Sequence, residues 1–205
     1  MKWLISLWAL LLISCSGPRI TSSWSAPDTK ANPFKKIAVI GIITNEDNSM
    51  RQQMEKHMTG DLRELGFNAV AFTETFNDKD FPRDMRYDSA RQKLMDAGID
   101  AVITIGLLDK EKEKVFVRDQ YQMSKEKNSF WYYYQTVLEA VEKNKGHYET
   151  ITSYYWESNL YDLNNLSMIY SARSEFFEEN DIKKMAHRYG KKLVEDMQKQ
   201  MVLVK

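Results

Sequence analysis

The feature that most constrains the fold is the apolar run at residues 37–43, Ile-Ala-Val-Ile-Gly-Ile-Ile. Five of these seven residues are β-branched, and no polar residue interrupts them. A short, continuous run of this kind is typical of a central strand that is buried on both faces. We therefore predict a sheet with an interior strand that begins near Ile37.

A helical pattern follows this strand directly. Asn48 or Ser49 can cap a helix that ends at Gly66, with a stripe of apolar side chains at Met50, Met54, Met58, Leu62 and Leu65. Such a stripe indicates a face packed against the core, although methionine-rich stripes can also serve as adaptable binding surfaces. Residues 67–72 then form a second strand, which completes a right-handed β-α-β unit and a parallel start to the sheet.

The remaining elements extend this unit. A second helix runs from Asp88 or Ser89 to Ala97, with Gly98 as its stop, and leads into a third buried strand at residues 101–108. Residues 109–114 alternate acid and base, as a solvated turn or a strand extension would. Strands at 148–163 and 166–176, joined by a turn at Asn164-Asn165, form an antiparallel hairpin.

A final amphipathic helix, capped at Asn180 or Asp181, runs to about residue 201. The predicted fold class is therefore α/β with a mixed sheet. A parallel β-α-β core of three strands is extended by a C-terminal antiparallel hairpin, and helices pack on the sheet.

Residues 118–147 are the least regular part of the sequence. They contain five consecutive aromatic residues, Phe130, Trp131, Tyr132, Tyr133 and Tyr134. Alternate residues of a strand point to opposite faces, so one face of a strand cannot bury all five rings. Either both faces are covered locally, or the surplus rings form an exposed surface for a protein partner or for self-association.

The first fifteen residues predict the compartment. Lys2 precedes an apolar run at residues 3–13, which has the length of an export signal and is too short to cross a bilayer core of about 30 Å. The run ends in Leu12-Ile13-Ser14-Cys15, which resembles the lipobox of bacterial lipoproteins. The resemblance implies cleavage before Cys15, attachment of a diacylglycerol to its sulfur, and acylation of the new amino terminus with a fatty acid such as palmitate.

Cys15 is the single cysteine of the chain, so it has no intramolecular disulfide partner, and lipidation accounts for it better than an ordinary signal peptide with an incidental thiol does. The expected organisation is a signal peptide at residues 1–14, a lipidated tether at 15–34, and one α/β domain at 35–205. Three prolines and many small polar residues make the tether irregular, with a reach of about a few tens of Å. Trp24, within it, packs on the domain edge or sits at the membrane interface.

The residues after Cys15 and the net charge indicate where the protein acts and what it binds. A serine directly after the cysteine, here Ser16, resembles the signal of lipoproteins that are sorted to the outer membrane. The absence of an acidic run at this point favours a domain that faces the periplasm. After removal of residues 1–14, the chain has 28 basic and 29 acidic residues, so a nucleic-acid partner is not expected. The chain has 43% hydrophobic and 12% aromatic residues, enough for a sizeable core.

Catalytic and metal-binding patterns are missing from the sequence. It contains no Gly-x-Ser-x-Gly elbow, Walker loop or Gly-x-Gly-x-x-Gly motif, so we expect no cofactor. The three histidines lie in separate elements, and the one helical pairing, His57 with Asp61, is better explained as a helix surface contact than as a metal site. An alternative that stays open is a catalytic site formed by residues that are far apart in the sequence but close together in the fold.

The order of short motifs resembles a known group of lipoproteins. These motifs are Lys-Ile-Ala-Val-Ile-Gly at 36–41, Leu-Gly-Phe at 65–67, Gly-Ile-Asp-Ala-Val-Ile at 98–103, Ser-Asn-Leu-Tyr-Asp-Leu at 158–163 and Met-Ile-Tyr-Ser-Ala-Arg-Ser at 168–174. Together they are similar to α/β lipoproteins of the TolB amino-terminal-domain type, which include curli-secretion lipoproteins and activators of penicillin-binding proteins. The resemblance implies a protein that binds partners or assembles and is not an enzyme. Curli-type channels use long amphipathic hairpins, and residues 115–138 are too charged and too short to supply two of them, so a pore is not expected.

Two classes of function follow from the sequence. The first is a membrane-anchored envelope lipoprotein that acts as a non-catalytic interaction or assembly module through Phe130 to Tyr134 or a sheet edge. The second is a small envelope hydrolase or ligand-binding domain with a cleft near Thr44, Asn45 and Asp109, because open α/β sheets place ligands at the carboxyl ends of their parallel strands. A formed cleft would favour the second class, and a filled one would favour the first.

Overall fold

The computed structural model describes residues 18–27, 34–82, 84–118, 129–143, 146–177 and 181–203. The predicted signal peptide and Cys15 lie outside these residues. Within the described chain there are six strands: β1 (Arg19–Ser25), β2 (Ile37–Ile42), β3 (Ala69–Ala71), β4 (Ala101–Arg118), β5 (Gly146–Asp162) and β6 (Ser167–Phe177). It also has five α-helices: α1 (Asn48–Glu64), α2 (Phe72–Thr75), α3 (Tyr87–Asp96), α4 (Phe130–Lys143) and α5 (Ile182–Lys199).

The six strands form one mixed sheet in the order β1-β6-β5-β4-β2-β3. β2 is parallel to both β3 and β4, whereas the β4–β5, β5–β6 and β6–β1 pairs are antiparallel. The prediction of a three-stranded parallel core extended by a C-terminal antiparallel hairpin is therefore confirmed.

Apolar side chains pack on both faces of this sheet because successive residues of a strand point to opposite sides. On one face, Val39 and Ile103 pack with α1 and α5 in the larger core. The methionine stripe of α1 belongs to this core, so its interpretation as a packing face is confirmed. On the other face, Ala38 and Val102 form a smaller cluster with Leu94 of α3.

The two predicted central strands are less completely buried than expected. In β2, Ile37 to Val39 are fully buried, but Ile40 is half-buried and Ile42 is 60% exposed. In β4, burial extends to Ile105, and Leu108 is exposed. In both strands, the apolar side chains nearest the amino-terminal end are therefore the most completely buried.

The segment expected to be an irregular tether contains a strand. β1 pairs antiparallel with β6, from Arg19 opposite Glu175 to Ser25 opposite Tyr170, with a register shift between Ile20 and Ser22. Its Ser- and Thr-rich sequence hid this pairing, since β1 is an edge strand with mostly exposed side chains. Trp24 is 47% exposed on this edge. The part of the predicted tether that precedes the sheet therefore shortens to the residues before Arg19.

β4 and β5 extend well beyond the sheet as an antiparallel ribbon. The strand-extension interpretation of residues 109–114 is confirmed, since β4 continues to Arg118, which lies opposite Gly146. β2 pairs with β4 only as far as Gly106, and β6 pairs with β5 only from Ser153 onward. Residues 112–118 and 146–152, called the ribbon below, therefore pair only with each other among the described strands.

The aromatic run is helical, which corrects the expectation of an irregular or strand-like segment. Phe130 to Tyr134 form the first turn and a half of α4. The expectation rested on the period of a strand, whereas apolar residues at 130, 134, 137, 138 and 141 follow the period of a helix. Residues 119–128 and 144–145, which flank this helix, lie outside the described residues.

Candidate functional site

The residues of the predicted cleft follow β2 or lie within its parallel neighbour β4. Thr44 follows β2 and is exposed, and Asn45 begins a short 3₁₀ turn at Asn45–Asp47. Asp109 is exposed in β4, and its carboxylate accepts a hydrogen bond from the Lys110 backbone at 2.8 Å. Lys110 also forms an ion pair of 3.2 Å with Asp47, which links the two segments.

The space behind this edge is filled by the side chain of Glu55. One of its carboxylate oxygens, Oε1, accepts hydrogen bonds from the Gly41 backbone at 2.8 Å and from Arg51 Nε at 3.3 Å. The other, Oε2, accepts two bonds from Thr73, at 2.7 Å from its backbone and 2.6 Å from its hydroxyl. Glu55 is fully buried, so these donors replace the water that a buried carboxylate needs.

Arg51 continues this network to the surface. Its two terminal nitrogens bind both oxygens of Asp78 at 2.8 and 2.9 Å, a bidentate pair that holds the pKa of Asp78 below its usual range. A Cβ atom at Gly41 would lie 2.8 Å from Arg51 Cγ, so glycine is required for this close approach. The network ties β2, α1 and residues 73–78 together with its polar groups already paired.

Two cavities lie elsewhere. A small apolar one of about 290 Å³ lies beside α3 and is lined by Tyr87, Ala90, Arg91, Leu94, Val102, Tyr161, Leu163 and Leu166. A larger open groove of about 720 Å³ runs between β1 and α5 and is lined by Pro18, Arg19, Ile20, Ser22, Ser23, Arg188, Lys191, Lys192, Glu195, Asp196 and Lys199. Neither lining includes Thr44, Asn45 or Asp109, which remain the residues of a predicted cleft.

The histidines do not build a metal centre in the part of the chain that the structure describes. Asp61 contacts His187 of α5, with Oδ1 3.4 Å from Nδ1, rather than pairing with His57 along α1 as expected. The rings of His57 and His187 lie 5.9 Å apart across the contact between the two helices. Among the described residues, no group of three or more His, Cys, Asp or Glu side chains is arranged to hold an ion.

Burial shifts the titration of this cluster. It raises the pKa of the Asp61 carboxyl to about 6, and Asp61 Oδ2 has no hydrogen-bond partner. A Cβ at Gly190 would lie 2.5 Å from that oxygen, so α5 approaches the carboxyl closely. Burial also lowers the pKa of His57, and the charge on His187 adds to this effect.

The aromatic run forms the most exposed apolar surface that the structure describes. Phe130 is 77% exposed and Trp131 62%, and the exposed apolar set continues with Tyr133, Tyr134, Leu138 and Val141. The rings also contact each other, with Tyr134 stacked on both Phe130 and Trp131 at 6.1 and 5.7 Å between centroids. The sequence prediction had left exposure and local packing open for the five aromatic residues. Four of them are exposed, whereas Tyr132 is half-buried.

Residues 109–114 of β4, which lead into the ribbon, have faces of opposite charge, which the sequence analysis did not predict. Alternation places Lys110, Lys112 and Lys114 on one side of β4 and Asp109, Glu111 and Glu113 on the other, and all six are exposed. The alternation of acidic and basic residues was the available signal, since charges that alternate along a strand place the two signs on opposite faces.

No helix among the described residues is both long and apolar enough to cross a membrane.

Comparison with known proteins gives only distant structural similarity. No protein-family model matches the chain, and no curated protein matches it either. The solved structures that resemble it include the PelC dodecamer from Paraburkholderia phytofirmans, with a TM-score of 0.47, 12% identity, and coverage of 88% of this chain and 97% of that one. Lipoprotein GNA1162 from Neisseria meningitidis has a TM-score of 0.44 and 15% identity over 80% of this chain and 98% of that one.

A third similar structure, a PDZ domain protein from Parabacteroides distasonis, has a TM-score of 0.43 and 10% identity over 92% of this chain and 37% of that one. At these scores and identities, the similarities support no argument about the class, activity, ligand or assembly of this chain.

Proposed function

We propose that this chain is an envelope lipoprotein, anchored through Cys15 to the outer membrane and facing the periplasm, that acts as a non-catalytic interaction or assembly module. Its binding surface is the apolar face of α4, which contacts a protein partner or a further copy of the chain. The observation that carries the proposal is the exposure of the aromatic side chains of this helix.

The exposed apolar residues of α4 form one continuous face. At 100° per residue, Phe130, Tyr134, Leu138 and Val141 lie within about 80° of each other around the helix, with Trp131 at one margin of this face and Tyr133 at the other. The exposed polar residue Glu139 lies on the opposite side, and Gln135 lies between it and Trp131. An apolar face that stays in water contributes nothing to the stability of a monomer. Aromatic side chains bury a large area when a partner covers them, so covering this face would be favourable.

The composition of this face suits a binding surface. Trp and Tyr are enriched at the centres of protein interfaces because they offer a large contact area for few rotatable bonds. The polar network around Glu55 supports the interaction class over a ligand-binding cleft at the strand ends. Its donors and acceptors already bind each other, so none of them is directed at a ligand.

The test is to compare Trp131→Ala and Tyr133→Ala with the parent protein in both stability and association. Association of the purified mature protein is measured by sedimentation velocity, with a further copy as the first partner tested. We expect either variant to weaken association by about 1–2 kcal/mol or more, a loss of about fivefold to thirtyfold in affinity, at an unchanged melting temperature.

Tyr87→Ala is the matched control, because Tyr87 is an exposed aromatic residue of α3 that lies outside this face. It should leave association unchanged. If Trp131→Ala instead costs about 3–5 kcal/mol of folding free energy and there is no association to lose, the side chain belongs to a packed core and the proposal is wrong.

A further inference from the structure

The groove between β1 and α5 carries a net positive charge, whereas the chain as a whole is close to neutral. Its lining has five cationic side chains, Arg19, Arg188, Lys191, Lys192 and Lys199, against two acidic ones, Glu195 and Asp196. The local excess is three positive charges, whereas residues 15–205 carry one more acidic than basic residue. A concentration of one sign in a concave surface raises the local density of ions of the opposite sign.

One of the two acids is already engaged. Asp196 Oδ2 accepts hydrogen bonds from the Tyr170 hydroxyl at 2.7 Å and from Gln200 Nε2 at 3.0 Å. Gln200 also bonds the hydroxyl of Ser23 at 2.6 Å, so this chain of contacts links α5 to β1 along the groove. Lys191, Lys192 and Lys199 are exposed, and their ammonium groups remain accessible to an anion.

The groove also lies close to the predicted membrane anchor. Pro18 is one of its lining residues, and it follows Cys15 by three positions. Three residues of fully extended chain span at most about 10 Å. The headgroup layer of a bilayer is about 5–7 Å thick on each side, so acyl chains on Cys15 would bring the groove to the level of the headgroups.

We propose that this groove binds the anionic phosphate groups of phospholipids in the bilayer to which Cys15 is anchored, so that the domain is held against the membrane in a fixed orientation. The proposal depends on the anchoring of Cys15 proposed above and is independent of any partner of α4. Each lysine or arginine close to an anionic surface strengthens the attraction, and the effect fades within a Debye length, so the anchor would keep the groove within its range.

The test uses the chain from Ser16 to Lys205 without lipid, which contains every strand and helix described. Its binding is measured by co-sedimentation with vesicles of phosphatidylcholine alone and of phosphatidylcholine with phosphatidylglycerol. We expect binding to the anionic vesicles only, weakening as salt is added. Lys192→Glu with Lys199→Glu should reduce the affinity by about tenfold or more.

The matched control is Lys56→Glu with Lys183→Glu, two exposed lysines of α1 and α5 outside the groove lining. It changes the net charge by the same amount and should alter affinity by less than twofold. Circular dichroism melting of all variants verifies that each is folded. Equal losses in the two double variants would show binding by overall charge and would overturn the proposal.

Three further outcomes would also refute the proposed headgroup site. Equal binding to neutral and anionic vesicles, or none to either, would refute the groove as a headgroup site. Displacement by millimolar inorganic phosphate at constant ionic strength would identify a site for a free anion instead, and would also refute it. Because this experiment uses no lipidated protein, its failure is distinct from failure of the anchor, which is tested by fractionating Cys15→Ala.

Discussion

Three helices of this chain end in the same backbone motif, but one of them uses an unfavourable residue. After α1 and α3, Gly66 and Gly98 adopt positive φ angles of 80° and 77°. After α5, Met201 takes the equivalent place with φ of 58°. In each case the next residue donates a backbone bond of 3.0 Å to the helix, for instance from Val202 to Met197. A side chain with a Cβ is strained in this left-handed conformation.

We therefore expect Met201→Gly to stabilise the protein. Removing the left-handed strain should raise the free energy of unfolding by about 0.5–1 kcal/mol after the greater chain entropy of glycine is subtracted. The side chain of Met201 is 66% exposed, so little packing is lost. Urea denaturation measures the change, and Gly98→Ala provides the opposite comparison, which should be destabilising. A destabilised Met201→Gly variant would contradict the expectation.

A second effect at the scale of single residues is the dependence of stability on pH. The folded-state pKa of Asp61 is about 6, above the value near 3.9 of an unfolded chain. Between these values the folded protein keeps a proton that the unfolded chain releases, so this carboxyl makes stability fall as pH rises from about 4 to about 6. His57 acts in the opposite direction, because its lowered pKa makes stability fall as pH drops below about 6.5.

Asp61→Asn should remove the Asp61 contribution. We expect the variant to be more stable than the parent at pH 7.5, by about 1–3 kcal/mol, because the buried carboxylate no longer has to ionise. At pH 4 the difference should largely disappear. Melting temperatures across this range measure the effect, and Asp88→Asn, at an exposed carboxylate, is the control. A parent that is more stable than Asp61→Asn at pH 7.5 would show that the contact with His187 outweighs burial.

Sequence reasoning predicted the roles of some of these residues and not of others. It placed Gly66 and Gly98 correctly at helix ends, since glycine there has a direct backbone reason. It missed the positive φ at Met201, because no residue preference marks it. It considered His57 and Asp61 as a pair within one helix, whereas Asp61 contacts His187, which is 126 positions later in the chain and comes close only through the packing of α1 on α5.

At the scale of elements, the central strands allow a sharp test of burial. Ile103 of β4 is fully buried in the larger core, whereas Ile42 of β2 is largely exposed. Ile103→Asp should cost several kcal/mol, comparable with the whole stability of about 5–15 kcal/mol of a typical domain, because the charge has no partner there. Ile42→Asp should cost less than about 1 kcal/mol.

Urea denaturation or the soluble yield of the two variants measures this difference. Ile40→Asp should fall between them, since Ile40 is half-buried in the smaller cluster. Similar losses for Ile42→Asp and Ile103→Asp would contradict the assignment of which halves of these strands are buried.

The elements themselves were largely predictable where burial sets a period. The α1 stripe, the run in β2 and the alternation in β5 led to correct strands and helices, because a buried face leaves a regular apolar pattern. β1 has few apolar residues, so only its hydrogen bonds to β6 define it. Residues 118–147 were expected to be irregular and the aromatic run was judged by the period of a strand, but the apolar spacing of residues 130–141 has the helical period.

At the scale of the whole molecule, the proposed attachment to a membrane depends on one residue, Cys15. If Cys15 is lipidated, Cys15→Ala should move the protein from the membrane fraction to the soluble fraction, with an uncleaved signal peptide excluded by the mass of the product. Continued membrane retention of a cleaved Cys15→Ala protein would contradict the anchor, and degradation by protease added to intact cells would contradict the periplasmic orientation.

The pairing of β1 with β6 has a consequence for the order in which the molecule folds. Arg19 and Glu175 are partners 156 positions apart in the chain, so this edge of the sheet cannot close until the chain as far as about residue 175 is free to fold. Loop closure over so long a segment is slow compared with the local contacts of helices. If the chain is exported and acylated at Cys15 as we propose, the enzymes that cleave and acylate its amino terminus would therefore act before this edge of the sheet closes.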